Sequence, residues 1–225
     1  MITLRRHALL VVEPRVWLAV AAAQPEALVQ CWAAQGWPLI VRRPYPSEPD
    51  LTGRLVPLGL PLPPTEGKRR LSFQAPIEAL RPFTTSVWPQ VVATQSGMTA
   101  PRQADIKRLD ALAQRHHLTP EPTGSLLWGA VTGLPYLSPT SDIDLLWRVD
   151  PSCLDIHAFL ADLEQTAATL NTRLDGEIIF PGDRAVQWHE LVSATPGDEV
   201  LVKSFTGLSL APAQTLLSPA QDRTA

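Results

Sequence analysis

Apolar positions in the second half of the chain recur with a regular spacing. Ile106, Leu109 and Ala113 fall on one helical face over residues 103–116. Leu126, Leu127, Ala130, Val131 and Leu134 repeat that period just after Gly124 and Ser125. Residues 142–149 alternate instead: Ile143, Leu145, Trp147 and Val149 project one way, Asp142 and Asp144 the other, as in a strand. Ile156, Phe159, Leu160 and Leu163 mark a third helix after Pro151 and Ser152. Residues 174–180 read as a strand, Pro181-Gly182-Asp183 as a turn, and residues 185–188 as the hairpin partner. No internal repeat is present.

The first half is punctuated differently. Apolar runs at residues 8–12 and 16–23 are separated by Glu13-Pro14-Arg15, an insertion that a secretory h-region does not carry. Residues 37–42 read as a short strand, and residues 71–74 follow the basic triplet Lys68-Arg69-Arg70 after the turn residues Thr65-Glu66-Gly67. Eight prolines between Pro38 and Pro64 are too many for a continuous helix or for central strands. Pro82, Pro89, Gly97 and Pro101 place the interdomain connection within residues 81–102. These patterns predict an α+β protein: a small Pro-rich N-terminal domain over residues 1–85, then a domain of helices and strands over 86–225.

Composition narrows the function classes. Of 225 residues, 45% are hydrophobic and 18% charged, enough apolar surface for packed cores rather than disorder. Nineteen Lys and Arg against 22 Asp and Glu argue against a nucleic-acid-polymer binder. No apolar run approaches the ~20 residues of a membrane-spanning helix, so a soluble protein is expected. Cys31 and Cys153 make no disulfide framework and no Cys-x-x-Cys pair, and the five histidines make no His-x-x-x-His pair. A reducing cytoplasm is the expected compartment, with both cysteines as small core residues.

The candidate chemistry lies in the acids. Asp142 and Asp144 are two apart on the expected strand, so their Cα atoms stand roughly 6.5–7 Å apart on one face. Two such charges repel unless something positive lies between them, and hard divalent cations favour this donor type. Asp175 or Glu177 on the next strand is the expected third acid. The choice between them stays open. Gly124 and Ser125 open a helix whose free N–H groups favour phosphate.

Gly-Ser at a helix start, an Asp-x-Asp strand and a third acid on a neighbouring strand resemble the DNA-polymerase-β-type nucleotidyltransferases. Ser125 and Asp142 lie a few residues further apart than that superfamily's usual spacing. A narrower resemblance runs over residues 124–147 (GSLLWGAVTGLPYLSPTSDIDLLW), which look like the malonate decarboxylase holo-acyl-carrier-protein synthases, or phosphoribosyl-dephospho-coenzyme A transferases. Asp175-Gly176-Glu177, the segment Ala185-Val186-x-Trp188-x-Glu190-Leu191, residues 37–44 and Gly67-Lys68-Arg69-Arg70 are similar to further parts of that family. The resemblance implies a polymerase-β-like catalytic domain, with a mixed sheet flanked by helices, that uses Mg²⁺ or Mn²⁺ held by Asp142 and Asp144. It also implies transfer from 2′-(5″-triphosphoribosyl)-3′-dephospho-coenzyme A to a serine of the malonate decarboxylase acyl carrier protein, with pyrophosphate leaving. A transferase using an ordinary nucleoside triphosphate, or a non-catalytic carrier-binding module, is the alternative.

The cations admit two readings each. Arg42, Arg43, Lys68, Arg69 and Arg70 either grip the triphosphate or the acidic carrier, or solvate strand edges. Lys203 either reaches phosphate or points outward from its strand. Trp128 and Trp147 have the spacing of packed core residues rather than of a stacking platform. His116 and His117 are expected to interact with the end of their helix.

Overall fold

The computed structural model describes residues 4–45, 48, 54–84, 87–195 and 197–218. The chain divides into two units, Met1–Ser86 and Val87–Ala225. Residues 85 and 86, where the boundary is expected, lie outside the described residues, as do Pro46 and Pro49.

The first unit holds β1 (Leu9–Val12), α1 (Pro14–Val20), α2 (Ala27–Cys31), β2 (Leu39–Val41), β3 (Leu55–Pro61), β4 (Arg70–Pro76) and β5 (Leu80–Pro82). The strands form an antiparallel sheet in the order β4-β3-β2-β1-β5. Pro14 stands at the first turn of α1, where its missing N–H costs nothing. The Glu-Pro-Arg interruption is thus a helix start. Trp17 of α1 is buried, donates its indole N–H to the Val29 carbonyl at 2.7 Å, and meets Phe73 edge-on at 4.8 Å.

β3 lies inside the sheet although it contains Pro57, against the expectation from proline content. The reason is the brevity of β2. Its ladder with β3 pairs Ile40 with Gly59 and Val41 with Leu58, so Pro57 falls beyond that ladder's end.

The second unit contains α3 (Gln90–Thr94), α4 (Ala100–Arg115), β6 (Glu121–Pro122), α5 (Gly124–Thr132), β7 (Ile143–Arg148) and α6 (Ile156–Ala167). It continues with β8 (Leu174–Phe180), β9 (Arg184–Gln187), α7 (Trp188–Ser193), β10 (Glu199–Lys203), β11 (Leu208–Pro212) and α8 (Ala213–Leu217). Helix α4 begins earlier than its apolar period predicts. Thr99 caps it and Pro101 sits in its first turn, so a residue read as part of the connection is a helix starter.

The second sheet has the order β11-β10-β9-β8-β7-β6. The pair β7–β8 is parallel, joined through α6, while the other described pairs are antiparallel. The sheet is mixed and flanked by helices, and the chain is α+β. On one face Trp147 is fully buried against Phe159 of α6, with ring centroids 5.3 Å apart. Trp128 is also buried and lies tilted against Tyr136. Both tryptophans are core. The cysteines are not: Cys31 closes α2 and Cys153 lies in the turn after Asp150, and both are exposed. Cys31 falls on the exposed side of a short helix and Cys153 in a solvent-facing turn, so neither reaches a core.

Candidate active site

Parallel pairing fixes which side chains share the second face of the larger sheet. Asp144 lies opposite Asp175, Leu146 opposite Glu177, and Arg148 opposite Ile179. Residues opposite one another project to the same side. Two adjacent strands therefore deliver Asp144, Asp175 and Glu177 to one face. Between the latter two, Gly176 takes φ +136°, and a Cβ there would stand 2.7 Å from the Leu145 carbonyl carbon. Only glycine lets the two strands approach at this point.

Asp142 immediately precedes β7 and is half-exposed. Its carboxylate accepts from Arg173 at 2.7 Å, and Asp175 accepts from the same Nη2 at 3.3 Å. Hydrogen bonding and charge from Asp142, then charge from Asp175 and Asp144, raise the Arg173 pKa above its ordinary value. One guanidinium thus lies within the field of three aspartates. Repulsion among the acids requires a cation between them, and the chain supplies its own. Arg173 is the residue that motif reading misses, because it stands before its strand and outside any acidic pattern. Gln187 is a second: it lies opposite Glu177 and donates its amide to Asp175.

Glu177, on the same face, has a cation of its own. Its carboxylate accepts from Lys203 Nζ at 2.9 Å and is nearly buried. Lys203 therefore faces Glu177. Arg173 bonds to Asp142 and Asp175 and lies in the field of Asp144, while Glu177, on the same face, accepts from Lys203.

Helix α5 begins beside Asp144. Gly124 has φ +56°, and a Cβ there would lie 2.9 Å from Asp144 Cγ and closer still to Oδ2. Thr123 precedes the helix without a side-chain cap, although its own N–H donates to the Asp144 carbonyl at 2.9 Å. The first amides of α5, including that of Ser125, lack a capping side chain, and unpaired helix-start amides attract anions.

Among the described residues, no three His, Cys, Asp or Glu side chains are arranged to hold a metal ion. The chemistry of the donor set nevertheless fits a hard divalent cation. Asp142, Asp144 and Asp175 offer only carboxylate oxygens, and two of them already bond to a guanidinium that lies in the field of the third.

The expected cations of the first unit are partly engaged there. Arg42 pairs with Glu48, lies over the Tyr45 ring at 4.3 Å, and donates Nε to the Leu58 carbonyl at 3.3 Å. Arg42 in turn holds the Glu48 carboxyl below its usual range. Arg69 pairs with Glu26. Arg43, Lys68 and Arg70 are exposed. No helix of the described residues is long and apolar enough to cross a membrane. At the end of α4, His116 lies 2.9 Å from Asp162 on α6 and so ties two helices together.

Residues 5–86 match the family described as the N-terminal domain of the phosphoribosyl-dephospho-CoA transferase MdcG, and residues 90–214 match its C-terminal domain. A phosphoribosyl-dephospho-CoA transferase of Bradyrhizobium diazoefficiens is 37% identical over 206 residues, covering 89% of this chain and 86% of that one. One from Xanthomonas euvesicatoria pv. vesicatoria is 36% identical over 213 residues, covering 94% and 95%. One from Xanthomonas campestris pv. campestris is 36% identical over 224 residues, covering 95% and 96%. No solved structure matches the chain significantly.

Proposed function

The chain belongs to the phosphoribosyl-dephospho-CoA transferase family, and from that premise we propose a specific reaction. The donor is 2′-(5″-triphosphoribosyl)-3′-dephospho-coenzyme A, and the acceptor is a serine hydroxyl of the malonate decarboxylase acyl carrier protein. The serine oxygen bonds to the α-phosphorus, the bond from that phosphorus to the β-phosphate bridging oxygen breaks, and pyrophosphate carries that electron pair away. The serine proton passes to a carboxylate of the site and on to water.

One observation carries this reading: at the adjoining ends of two parallel strands, Asp142 and Asp175 bond to one guanidinium that lies in the field of Asp144, beside the uncapped start of α5. Such transfer depends on positioning and on neutralising charge more than on a protein nucleophile. The α5 amides and Ser125 orient the donor's phosphates. Asp142, Asp144 and Asp175 would hold Mg²⁺ or Mn²⁺, which when bound neutralises charge on the transferring and leaving oxygens. Arg173, released from Asp142 and Asp175 as donor enters, is placed to pair with a phosphate oxygen. Arg43, Lys68 and Arg70 contribute to capture of donor or carrier. The reducing cytoplasm suits two exposed thiols.

The test is mass spectrometry of the carrier after incubation with donor and enzyme, with Mg²⁺ or with chelator. The carrier should gain the mass of the phosphoribosyl-dephospho-CoA group only with metal, with one pyrophosphate released per carrier. An unmodified carrier alongside turnover of an ordinary nucleoside triphosphate would overturn the assignment.

A further inference from the structure

Helix α4 contributes no acid to the site, yet it buries two charged side chains one turn apart: Arg102 is 2% exposed and Asp105 0%. Each grips a loop that leads into one of the acid-bearing strands. Arg102 Nη2 donates to the carbonyls of Ser141 at 2.7 Å, Ser138 at 3.2 Å and Pro139 at 3.4 Å. Ser141 directly precedes Asp142. Asp105 accepts from the Asn171 backbone N–H at 3.1 Å, the Asn171 side-chain amide at 3.0 Å and the Thr172 N–H at 2.9 Å. Thr172 directly precedes Arg173, which itself reaches Asp142 and Asp175.

We infer that Arg102 and Asp105 are positioning residues that set the separation of the two carboxylate-bearing strand starts. Residues three apart on a helix are neighbours on one face with fixed geometry. A loop tied to each is therefore held at a fixed distance from the other. The form of the Arg102 interaction points the same way. A buried guanidinium is expensive, and this one has no ion-pair partner among the described residues. Its Nε and Nη1 are buried without hydrogen bonds. An apolar side chain would pack at lower cost, so stability alone does not account for arginine here. What arginine adds is a donor that holds three consecutive-loop carbonyls at the entrance to Asp142.

Because the inference rests on the proposed acid site, its test runs Arg102→Met, Arg102→Lys and Asp105→Asn beside Asp142→Asn and Asp175→Asn. The readouts are kcat, donor KM and thermal midpoint in the carrier-loading reaction. Arg102→Met should lower kcat at least tenfold, with donor KM within threefold and the thermal midpoint maintained. Arg102→Lys, which restores a donor, should recover to within threefold of the parent. Asp105→Asn keeps one acceptor oxygen and should lose kcat by a smaller factor, again without a change in KM. A merely structural role would move kcat and KM with the thermal midpoint, and lysine would not rescue. If Arg102→Met does not fold, the Lys variant and Asp105→Asn decide: parental kcat in Asp105→Asn, or an unrescued loss in Arg102→Lys, overturns the inference. Loss in Asp142→Asn and Asp175→Asn with silent Arg102 and Asp105 variants rejects the positioning role alone. Full activity in the two acid variants rejects the acid site and this inference with it.

Discussion

Replacing Gly124 by alanine tests whether the start of α5 and the Asp144 carboxylate work as one unit. The added Cβ would lie 2.9 Å from Asp144 Cγ and 3.3 Å from its Cβ. Asp144 Oδ2 lies closer still, and ordinary contacts are about 3.5–4.0 Å, so the carboxylate must swing away by at least about 1 Å. A displacement near 1 Å at a reacting centre costs on the order of 10²-fold in rate. The expected loss in kcat is therefore about 10- to 100-fold, or roughly 1.4–2.7 kcal/mol of barrier. The substitution also strains the backbone, because Gly124 has φ +56°, and a left-handed alanine costs roughly 1–2 kcal/mol. Gly133, at the other end of the same helix, supplies the control. It has φ +71° and nothing within 4 Å of a built Cβ. Gly133→Ala therefore carries the strain without the collision. Both variants should lower the thermal midpoint by about 2–8 °C, while only Gly124→Ala should lose kcat. The assay is pyrophosphate release with saturating donor and carrier. A kcat for Gly124→Ala within threefold of that for Gly133→Ala would refute the link between helix start and acid.

The two candidate third acids should separate cleanly: Asp175→Asn, in the Arg173 group, should reduce kcat at least tenfold. Glu177→Gln should cost only a few-fold, since its partner is Lys203; equal losses in the kinetic comparison would contradict the geometry. Neutralising Lys68 and Arg70 should raise the apparent KM for donor or carrier and flatten its salt dependence, as the Debye length shrinks from about 10 Å at 0.1 M to about 3 Å at 1 M. Arg69→Gln should do less, because Arg69 is already paired with Glu26; KM titrations in increasing salt check both. Burial raises the Asp105 pKa, but hydrogen bonds from Asn171 and Thr172 outweigh it and leave the folded value depressed. Its stabilisation is complete above the unfolded pKa of about 3.9 and is lost as pH falls through the folded value. Denaturant titrations from about pH 6 to about pH 3 should show the parent losing stability more steeply than Asp105→Asn; parallel pH profiles would contradict this.

Legibility in the sequence followed the strength of local pattern. The apolar stripe of α6 lies where its helical period places it, because one face is buried, and β8 lies where an apolar run ending at a Pro-Gly turn places it. Asp142 and Asp144 are legible as a pair because apolar residues alternate with them into β7. Helix α1 was not, because its seven residues show too little of the period and its proline reads as a breaker. The roles of Arg173 and Gln187 are not legible in the sequence, since they arise from strand register, which pairs residues remote in the chain. Arg102 and Asp105 were hidden more thoroughly. A charged residue on a helix is ordinarily solvated, and only the packed tertiary structure reveals that these two face inward.

The parallel pairing of β7 with β8 also governs when the acids first meet. The hairpins β8–β9 and β10–β11 join segments adjacent in the chain and close cheaply. Asp144 and Asp175 come into register only after α6 has crossed and docked, which requires the longer loop closure to be completed first. A chain caught part-way through folding, or with this crossover frayed, contains its hairpins but not an assembled acid group. Recovery of activity during refolding therefore reports completion of the whole second unit, later than the signals of its local secondary structure.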